Sequence, residues 1–162
     1  MARVYLGLGS NVDPEENLRL GIAELRRRFG ELEISGVYRN AAVDFEGADF
    51  LNLVVSMNCD NAPADVHAQI EAIHKLAGRE REAVRFASRA LDIDLLLYDD
   101  LVIADPPVRV PRPDILEYAF VLRPLAELAP DLIHPETGQS LQVHWQSFEA
   151  GRHLLTPVPV IF

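Results

Sequence analysis

Cysteine, positive charge and long apolar runs are all scarce in this sequence of 162 residues. The one cysteine, Cys59, excludes an internal disulfide and fits a reducing compartment. No apolar run reaches the roughly 18 residues that a membrane span requires, and the opening MARVYLGLGS has no signal-peptide pattern. These absences predict a soluble, cytoplasmic protein without a membrane partner.

Lysine and arginine number 15 against 25 aspartates and glutamates, which gives a net charge of −10. Nucleic-acid binding needs a basic surface, so this charge argues against a nucleic-acid partner. The basic residues are unevenly placed, however. The segment GREREAVRFASR, residues 78–89, contains Arg79, Arg81, Arg85 and Arg89. A local basic cluster in an acidic chain indicates a small anionic ligand.

Length and periodicity predict one domain over residues 1–162, with no internal repeat. Strands are predicted at residues 3–8, 32–39, 50–58 and from Asp92 onward, and helices from Pro14 to Phe29, from Pro63 to Ala77 and over residues 121–129. Asp13 and Glu16 match a capping box at the first helix. The order βαββαβ predicts an α+β fold: a ferredoxin-like antiparallel sheet with both long helices on one face and additional C-terminal helical pieces.

The third predicted strand has two different faces. One face is apolar and should meet the two long helices; it consists of Leu51, Leu53, Val55 and Met57. The other face carries Phe50 and Asn52 and is left for a ligand or for later elements.

Two acids open a strongly apolar run at residues 89–100, RALDIDLLLYDD. Asp92 and Asp94 lie two residues apart, so in a strand they share a face. Like charges side by side near a core cost several kcal/mol unless something compensates them. One interpretation is an exposed strand end where the acids pair with nearby arginines. The other is a site for Mg²⁺, which takes one or two carboxylates plus substrate phosphates.

The arginines that precede this strand favour the metal interpretation. Guanidinium groups offer a planar fork of donors that suits phosphate oxygens. Arginines followed by twin aspartates therefore supply both halves of a nucleotide-triphosphate site. The basic segment, residues 79–90, has no apolar periodicity, and we expect it to be mobile without ligand and to order over ATP.

Two other patterns predict no site of their own. GLGSN at residues 7–11 lacks the spacing of a dinucleotide loop and the lysine of a Walker loop, and it predicts a tight turn from strand to helix. The five histidines show no zinc spacing and are expected at the surface or partly buried; they are His67, His74, His134, His144 and His153.

Four segments together resemble the 6-hydroxymethyl-7,8-dihydropterin pyrophosphokinase family of folate biosynthesis. They are GLGSN, DFLNLVV at 49–55, GRER…R…SRALDIDLLLY at 78–98, and VPRPDILEYAFVLRPLAELAPDL at 110–132. The resemblance covers about residues 3–135 and leaves 136–162 as a tail. It implies a ferredoxin-like fold, ATP as co-substrate, two Mg²⁺ ions, and transfer of pyrophosphate to a reduced pterin with release of AMP.

The resemblance also implies roles for individual residues. It assigns the metal ions to Asp92 and Asp94, and catalysis to these two together with Arg79 and Arg89. ATP contacts fall on Arg79, Arg81, Arg85, Arg89 and Arg112, the first four of them in a mobile loop. Pterin contacts fall on Val43, Phe50, Asn52 and Phe120, with the two rings enclosing the pterin.

The chain departs from the family pattern at five places. A helix glutamate is His74, a histidine is Arg112, an arginine is Tyr118, a threonine-proline-rich segment is Asn40–Val43, and tryptophan-glycine-proline-arginine-threonine is Phe86–Ala90. Two alternatives therefore stay open: a pterin-binding paralogue with altered preference or weak activity, and a non-enzymatic ferredoxin-like regulatory module. The tail Leu154–Phe162 is expected to dock on its own domain or on a neighbour, and the oligomeric state is unknown.

Overall fold

The computed structural model describes residues 1–42, 47–78, 90–149 and 154–162. The strands are β1 (Ala2–Ser10), β2 (Glu33–Ile34), β3 (Val37–Asn40), β4 (Phe50–Cys59), β5 (Asp92–Tyr98), β6 (Ile103–Asp105), β7 (Val108–Val110) and β8 (Thr156–Val158). The helices are α1 (Pro14–Phe29), α2 (Pro63–Leu76), α3 (Asp114–Glu117), α4 (Ala119–Leu128) and α5 (Leu141–Ser147). Up to β5 this is the predicted βαββαβ order, with the second strand in two pieces.

Strand β1 lies inside an antiparallel sheet, between β4 and β5. The order across the sheet is β5-β1-β4-β3-β8, and β2 also pairs with β4. Placing the first and third strands of a βαββαβ unit side by side in the middle is the ferredoxin-like arrangement. The predicted fold class is confirmed, including the helical pieces that follow β5.

The two long helices pack on one face of the sheet, as predicted. Their apolar stripes and the apolar face of β4 belong to one buried cluster: Leu18, Ile22, Leu25, Val66, Ile70, Ile73, Leu51, Leu53, Val55 and Met57. A second cluster on the other side of β4 joins Val54 to α4 and α5 through Leu122, Leu125 and Leu141. Each fully buried large aliphatic side chain contributes about 1.5–3 kcal/mol, so these two layers hold the sheet between them.

The single strand predicted over residues 32–39 is interrupted at Ser35 and Gly36. Ser35 Oγ accepts a hydrogen bond from the Val54 amide at 2.9 Å, and the Gly36 amide donates to Glu127 of α4 at 2.6 Å. The Tyr38 hydroxyl donates to the other oxygen of the same carboxylate. Contacts with a helix 91 residues away therefore divide the strand, and no local pattern contains them.

Helix α1 begins at Pro14 as predicted, but the predicted capping box is wrong. Asp13 has a left-handed backbone, with φ of 41°, and its side chain makes no capping hydrogen bond. A capping residue is normally extended, which aims its side chain at the first free amides of the helix. Here Asn17 Nδ2 instead donates to the Val12 carbonyl at 2.6 Å.

Beyond β5 the structure is richer than predicted. The proline-rich stretch contains the β6–β7 hairpin, and α4 begins at Ala119 rather than at residue 121 and continues through Pro124. Although proline lacks an amide hydrogen, the helix predicted over residues 121–129 is present across Pro124 and ends at Leu128. Across the parts of the chain that the structure describes, no helix is long and apolar enough to span a bilayer.

The C-terminal tail docks on its own domain. Strand β8 pairs with β3, and the Arg19 guanidinium lies 5.1 Å from the centre of the Phe162 ring. Val158, Val160 and Phe162 pack against the cluster beneath the long helices. Of the two expectations for this segment, docking within the chain is therefore the one observed.

His134 and His74 are each only 3% exposed, so the expectation that the histidines lie at the surface or partly buried is wrong for both. His134 organises the turn before α5, where its Nδ1 accepts hydrogen bonds from the amides of Glu136 and Thr137 at 3.1 and 3.4 Å. Burial first, and then the neighbouring His144, lower the pKa of His134, while Glu136 acts in the opposite direction. The neutral ring is therefore the form that supports the turn.

Replacing His134 with asparagine should flatten the dependence of stability on pH. The folded pKa of His134 is depressed, so as the pH falls below about 6.5 the unfolded chain takes up the proton first. The contribution of the neutral ring to stability is present above that pH and is lost below it. Asparagine Oδ1 can take the place of Nδ1 without titrating. Urea unfolding between pH 7.5 and 5 should show a shallower slope for His134→Asn, by at most about 1.4 kcal/mol per pH unit. Identical slopes for the two proteins would contradict this account.

Candidate active site

A cavity of about 560 Å³ opens beside the β5 edge of the sheet. Its walls come from β1, β4, β5, α2, the segment from Pro107 to Asp114, and the start of α4. The cavity brings together six of the predicted site residues: Asp92, Asp94, Arg112, Phe50, Asn52 and Phe120. The other predicted site residues lie outside the described residues, as does nearly all of the loop expected to close over ATP; they are Val43, Arg79, Arg81, Arg85 and Arg89.

Two glycines of β1 form part of the cavity wall. Gly9 is paired with Asp92 on one side and with Asn52 on the other, and Gly7 is paired in the same way with Asp94 and Val54. Residues that face each other in adjacent antiparallel strands project on the same side of the sheet. The glycines therefore leave space between the acids of β5 and the side chains of β4.

The predicted strand-to-helix turn begins later than expected: β1 pairs with both neighbours and continues to Ser10, so Gly9 and Ser10 lie in the strand and the turn falls on residues 11–13. Gly9 is required by close approach rather than by turn geometry. A Cβ atom at this position would lie 2.6 Å from Asn52 Oδ1, whereas one at Gly7 would lie 3.5 Å from the Leu96 side chain, an ordinary contact. Two glycines separated by one residue in a strand leave one face of that strand without side chains. This spacing could have indicated the cavity from the sequence.

The two aspartates lie at the start of β5 and alternate with buried residues, as the strand pattern predicted. Asp92 and Asp94 are partly exposed, while Leu91, Ile93 and Leu95 are buried. Within the described part of the chain, no three His, Cys, Asp or Glu side chains are grouped to hold a metal ion. A cation at this pair would therefore take further oxygen ligands from a substrate or from water, which is the usual pattern for Mg²⁺.

Arg112 lies next to the acidic pair. Its guanidinium is 3.5 Å from Asp94 Oδ1 and 3.3 Å from Asp114 Oδ2, and its amide donates to the Leu96 carbonyl at 2.9 Å. Burial lowers the pKa of Arg112, but the carboxylates of Asp94, Asp114 and Asp92 outweigh burial and raise the pKa above its ordinary value. The site therefore holds a fixed positive charge beside its carboxylates.

Aromatic side chains line the other end of the cavity. Phe50 begins β4, and Phe120 lies in the first turn of α4; both rings are half-buried. The Tyr118 ring stacks on Phe120, with ring centres 5.0 Å apart and planes 22° from parallel. Such stacking contributes about 0.5–1.5 kcal/mol and restricts how Phe120 can turn.

An amide pair fixes the orientation of Asn52. Asn40 Nδ2 donates to the Ala41 carbonyl at 3.0 Å, so Asn40 presents its oxygen to Asn52 Nδ2. Asn52 then directs its own oxygen toward Gly9 and the cavity. Both amides are buried, and the site therefore offers an oriented hydrogen-bond acceptor beside the aromatic rings.

A third part of the cavity lies against α2, where sequence analysis assigned no site residue. It is lined by His67, Ile70, Glu71, His74, Pro107 and Arg109. The α2 residues recur at helical spacing on one face, which was an available signal. No local pattern distinguished Arg109 from a surface residue. The same holds for two residues elsewhere in the cavity, Asn40 and Asp114.

The geometry defines a class of protein: a ferredoxin-like domain whose cavity combines an acidic strand edge, a fixed cation and an end lined by aromatic side chains. The family model described as 7,8-dihydro-6-hydroxymethylpterin-pyrophosphokinase (HPPK) matches residues 5–130. The chain belongs to this family. The resemblance noted in the sequence is thereby confirmed.

Individual relatives agree with the family assignment. The chain is 39% identical over 137 residues to 2-amino-4-hydroxy-6-hydroxymethyldihydropteridine pyrophosphokinase of Aquifex aeolicus, covering 83% of this chain and 85% of that protein. It is 34% identical over 139 residues to the protein of the same name from Synechocystis, covering 84% of this chain and 71% of the relative.

The fold is also found in solved structures. The crystal structure of Plasmodium falciparum HPPK-DHPS with pterin and p-hydroxybenzoate superposes with a TM-score of 0.74 at 14% sequence identity. The match covers 90% of this chain but 42% of that one, so the chain spans about two fifths of the Plasmodium protein. At this identity the likeness concerns the fold.

Gly9→Ala should displace the Asn52 amide and weaken binding at the aromatic end of the cavity. The new methyl group would lie 2.6 Å from Asn52 Oδ1, and Asn52 is held by Asn40 and cannot simply rotate away. Overpacking of this kind costs about 1–3 kcal/mol, or roughly five- to a hundredfold in a dissociation constant.

The matched control is Gly7→Ala in the same strand, whose methyl group would meet Leu96 at an ordinary 3.5 Å. Titration of each variant with 6-hydroxymethylpterin, followed by intrinsic fluorescence, measures the effect. Equal affinities for the two variants would show that Gly9 has no special role.

Proposed function

We propose that this protein transfers pyrophosphate from ATP to 6-hydroxymethyl-7,8-dihydropterin and releases AMP, a step of folate biosynthesis. The observation that carries the proposal is the cavity itself, which joins the Asp92–Asp94 edge to the slot at Phe50, Asn52 and Phe120 in a chain of the HPPK family. The aromatic end suits the pterin, and the acidic end together with the part against α2 suits ATP. The proposal sets aside the alternative of a non-enzymatic regulatory module.

The pterin binds at the aromatic end. A pterin is a flat bicyclic ring with N–H donors along its aminopyrimidine edge, and flat rings gain from aromatic faces on either side. We assign these faces to Phe50 and Phe120, as the family resemblance implies. Asn52 Oδ1, oriented toward the cavity by Asn40, accepts one of the pterin N–H groups. Val43 is kept as a further contact on the strength of the resemblance.

The triphosphate of ATP binds at the acidic end with two Mg²⁺ ions. Asp92 and Asp94 fit these ions because they offer hard carboxylate oxygens on one face of a partly exposed strand. When bound, the ions neutralise phosphate charge and polarise the phosphoryl oxygens. Arg112 adds a fixed cation beside them. Arg79, Arg81, Arg85 and Arg89 are assigned to the phosphates by the resemblance.

The nucleoside takes the remaining part of the cavity, against α2. This part is lined by apolar surface from Ile70 and Val108 and by polar groups from His67, Glu71 and Arg109. A purine can lie on the apolar surface while ribose hydroxyls donate to a carboxylate such as Glu71. ATP then extends from α2 toward β5, and its phosphates point at the pterin slot.

The reaction is a direct displacement. The pterin hydroxymethyl oxygen forms a bond to the β-phosphorus, the bond between that phosphorus and the α,β-bridging oxygen breaks, and AMP leaves with the electron pair. The hydroxyl proton is lost to solvent or to a phosphate oxygen, so no covalent enzyme intermediate is needed. The protein contributes positioning, worth up to about 7–11 kcal/mol, and stabilisation of charge on the transferring group.

Asp92→Asn and Asp94→Asn should each abolish transfer while leaving the fold intact. Each change removes a carboxylate ligand and relieves repulsion between the two acids, while Asp94→Asn also removes the ion pair with Arg112, so the free energy of unfolding should stay near that of the wild type. We expect the rate of AMP release with ATP, Mg²⁺ and the pterin to fall roughly a hundredfold or more. Asp105→Asn, an exposed acid on β6, is the matched change of charge and should keep the wild-type rate. Near-normal turnover in either β5 variant would rule out the metal role.

Tyr118 is the departure that favours slow transfer or an altered pterin preference. It replaces a family arginine, and its ring stacks on Phe120. Tyr118→Arg should restore a cation near the phosphates and raise turnover on 6-hydroxymethyl-7,8-dihydropterin about ten- to a hundredfold, since a charged hydrogen bond contributes about 1.5–3 kcal/mol. Tyr118→Phe keeps the stacked ring and should leave turnover unchanged. Steady-state kinetics that show no gain for Tyr118→Arg would mean that Arg112 and its neighbours already compensate.

A further inference from the structure

We propose that His74 is a positioning residue for the acidic strand: as a neutral imidazole with its proton on Nδ1, it holds the backbone between Asp92 and Asp94. The inference rests on the proposed function for its kinetic consequences, though not for its geometry. His74 belongs to α2 and lies on the cavity wall, yet its side chain is only 3% exposed.

Two contacts define which ring nitrogen carries the proton. The Ile93 amide donates to His74 Nε2 at 2.9 Å, and since a backbone amide can only donate, Nε2 must offer a lone pair. His74 Nδ1 lies 3.2 Å from Glu71 Oε1. A carboxylate oxygen has no proton to donate, so it acts as the acceptor. The hydrogen therefore resides on Nδ1 and is donated to Glu71. This tautomer follows from the identity of the partners.

The Ile93 amide needs this acceptor because of its place in the sheet. Strand β5 pairs with β1 on one side, and the Ile93 amide points to the other side, toward α2. Ile93 is 2% exposed, so water does not readily reach its amide. A buried amide without a hydrogen-bond partner is strongly unfavourable. In a wider sheet the carbonyl of a neighbouring strand would be the partner; here the His74 side chain takes that place.

The position of Ile93 determines the spacing of the two carboxylates. Asp92 and Asp94 are its immediate neighbours, so a shift of this peptide moves both together. Displacement of a reacting group by about 1 Å can reduce a rate a hundredfold. Histidine also provides the acceptor without adding a negative charge beside the pair, whereas the glutamate that the family usually has here would add one. Glu71, at the other end of the chain of contacts, lies where we place the nucleoside.

Substitution of His74 by glutamine or by asparagine tests the two ring nitrogens separately. Glutamine places a side-chain oxygen near the position of Nε2 and can accept from Ile93, whereas asparagine reaches only as far as Nδ1 and cannot. We therefore expect His74→Asn to reduce kcat by about ten- to a hundredfold and to raise the Mg²⁺ concentration for half-maximal rate, with the KM for the pterin within about twofold of wild type. His74→Gln should recover most of both losses. Equal loss in the two variants would overturn the proposal.

Two readouts do not depend on turnover. In uniformly ¹⁵N-labelled wild-type protein, the His74 ring should show protonated Nδ1 and unprotonated Nε2 at pH 7.5, and the reverse pattern would overturn the proposal even if the variants fail to fold.

Binding of Mn²⁺ with α,β-methylene-ATP, followed by electron paramagnetic resonance, should weaken in His74→Asn and recover in His74→Gln. Unchanged Mn²⁺ binding in His74→Asn would also overturn the proposal. If the wild type releases no AMP, the proposed function fails while these two measurements still decide the role of His74.

Discussion

The pairing of β1 with β4 on one side and β5 on the other is the constraint on which the rest of the site depends. The register places Gly9 between Asp92 and Asn52, and Gly7 between Asp94 and Val54. A slip of one residue would turn every side chain to the opposite face, so that the acids would enter the apolar layer beneath the long helices. That layer, packed with large aliphatic side chains, fixes the register. The hydrophobic core and the cavity are thus determined by the same hydrogen-bond ladder.

The second constraint is electrostatic. Asp92 and Asp94 lie at the edge of the sheet, where partial exposure reduces the penalty of placing like charges side by side. Arg112 offsets part of that charge, and His74 supports the intervening peptide as a neutral acceptor. The strand therefore keeps its two carboxylates close and retains oxygens that a metal ion can use. An arrangement this dependent on neighbours tolerates few changes around Ile93.

Sequence predicted those features that repeat locally along the chain. The periods of α1 and α2, the two faces of β4, and the shared face of Asp92 and Asp94 all follow from side chains a few residues apart. What it did not predict depends on partners far away in sequence. Glu127 divides the second strand, and the Ile93 amide accounts for a buried histidine. Gly9 was placed in the turn because glycine is common in turns. Its other use, close approach inside a sheet, becomes visible only when β4 lies beside it.

The two ends of the cavity depend on different parts of the fold, so in the proposed assignment binding of the pterin is separate from transfer to it. The aromatic end rests on β4 and α4, with Asn40 orienting Asn52 and Tyr118 stacked on Phe120. The acidic end rests on β5 and its contacts with α2. A substitution that changes charge between them, as tyrosine for arginine does at position 118, removes a cation and adds a ring that supports the slot. Its expected consequence is a change in the rate of transfer with little loss of affinity for the pterin. In the proposed assignment, the departure at Tyr118 therefore leaves the pterin site intact, and its effect falls on the phosphate side of the reaction.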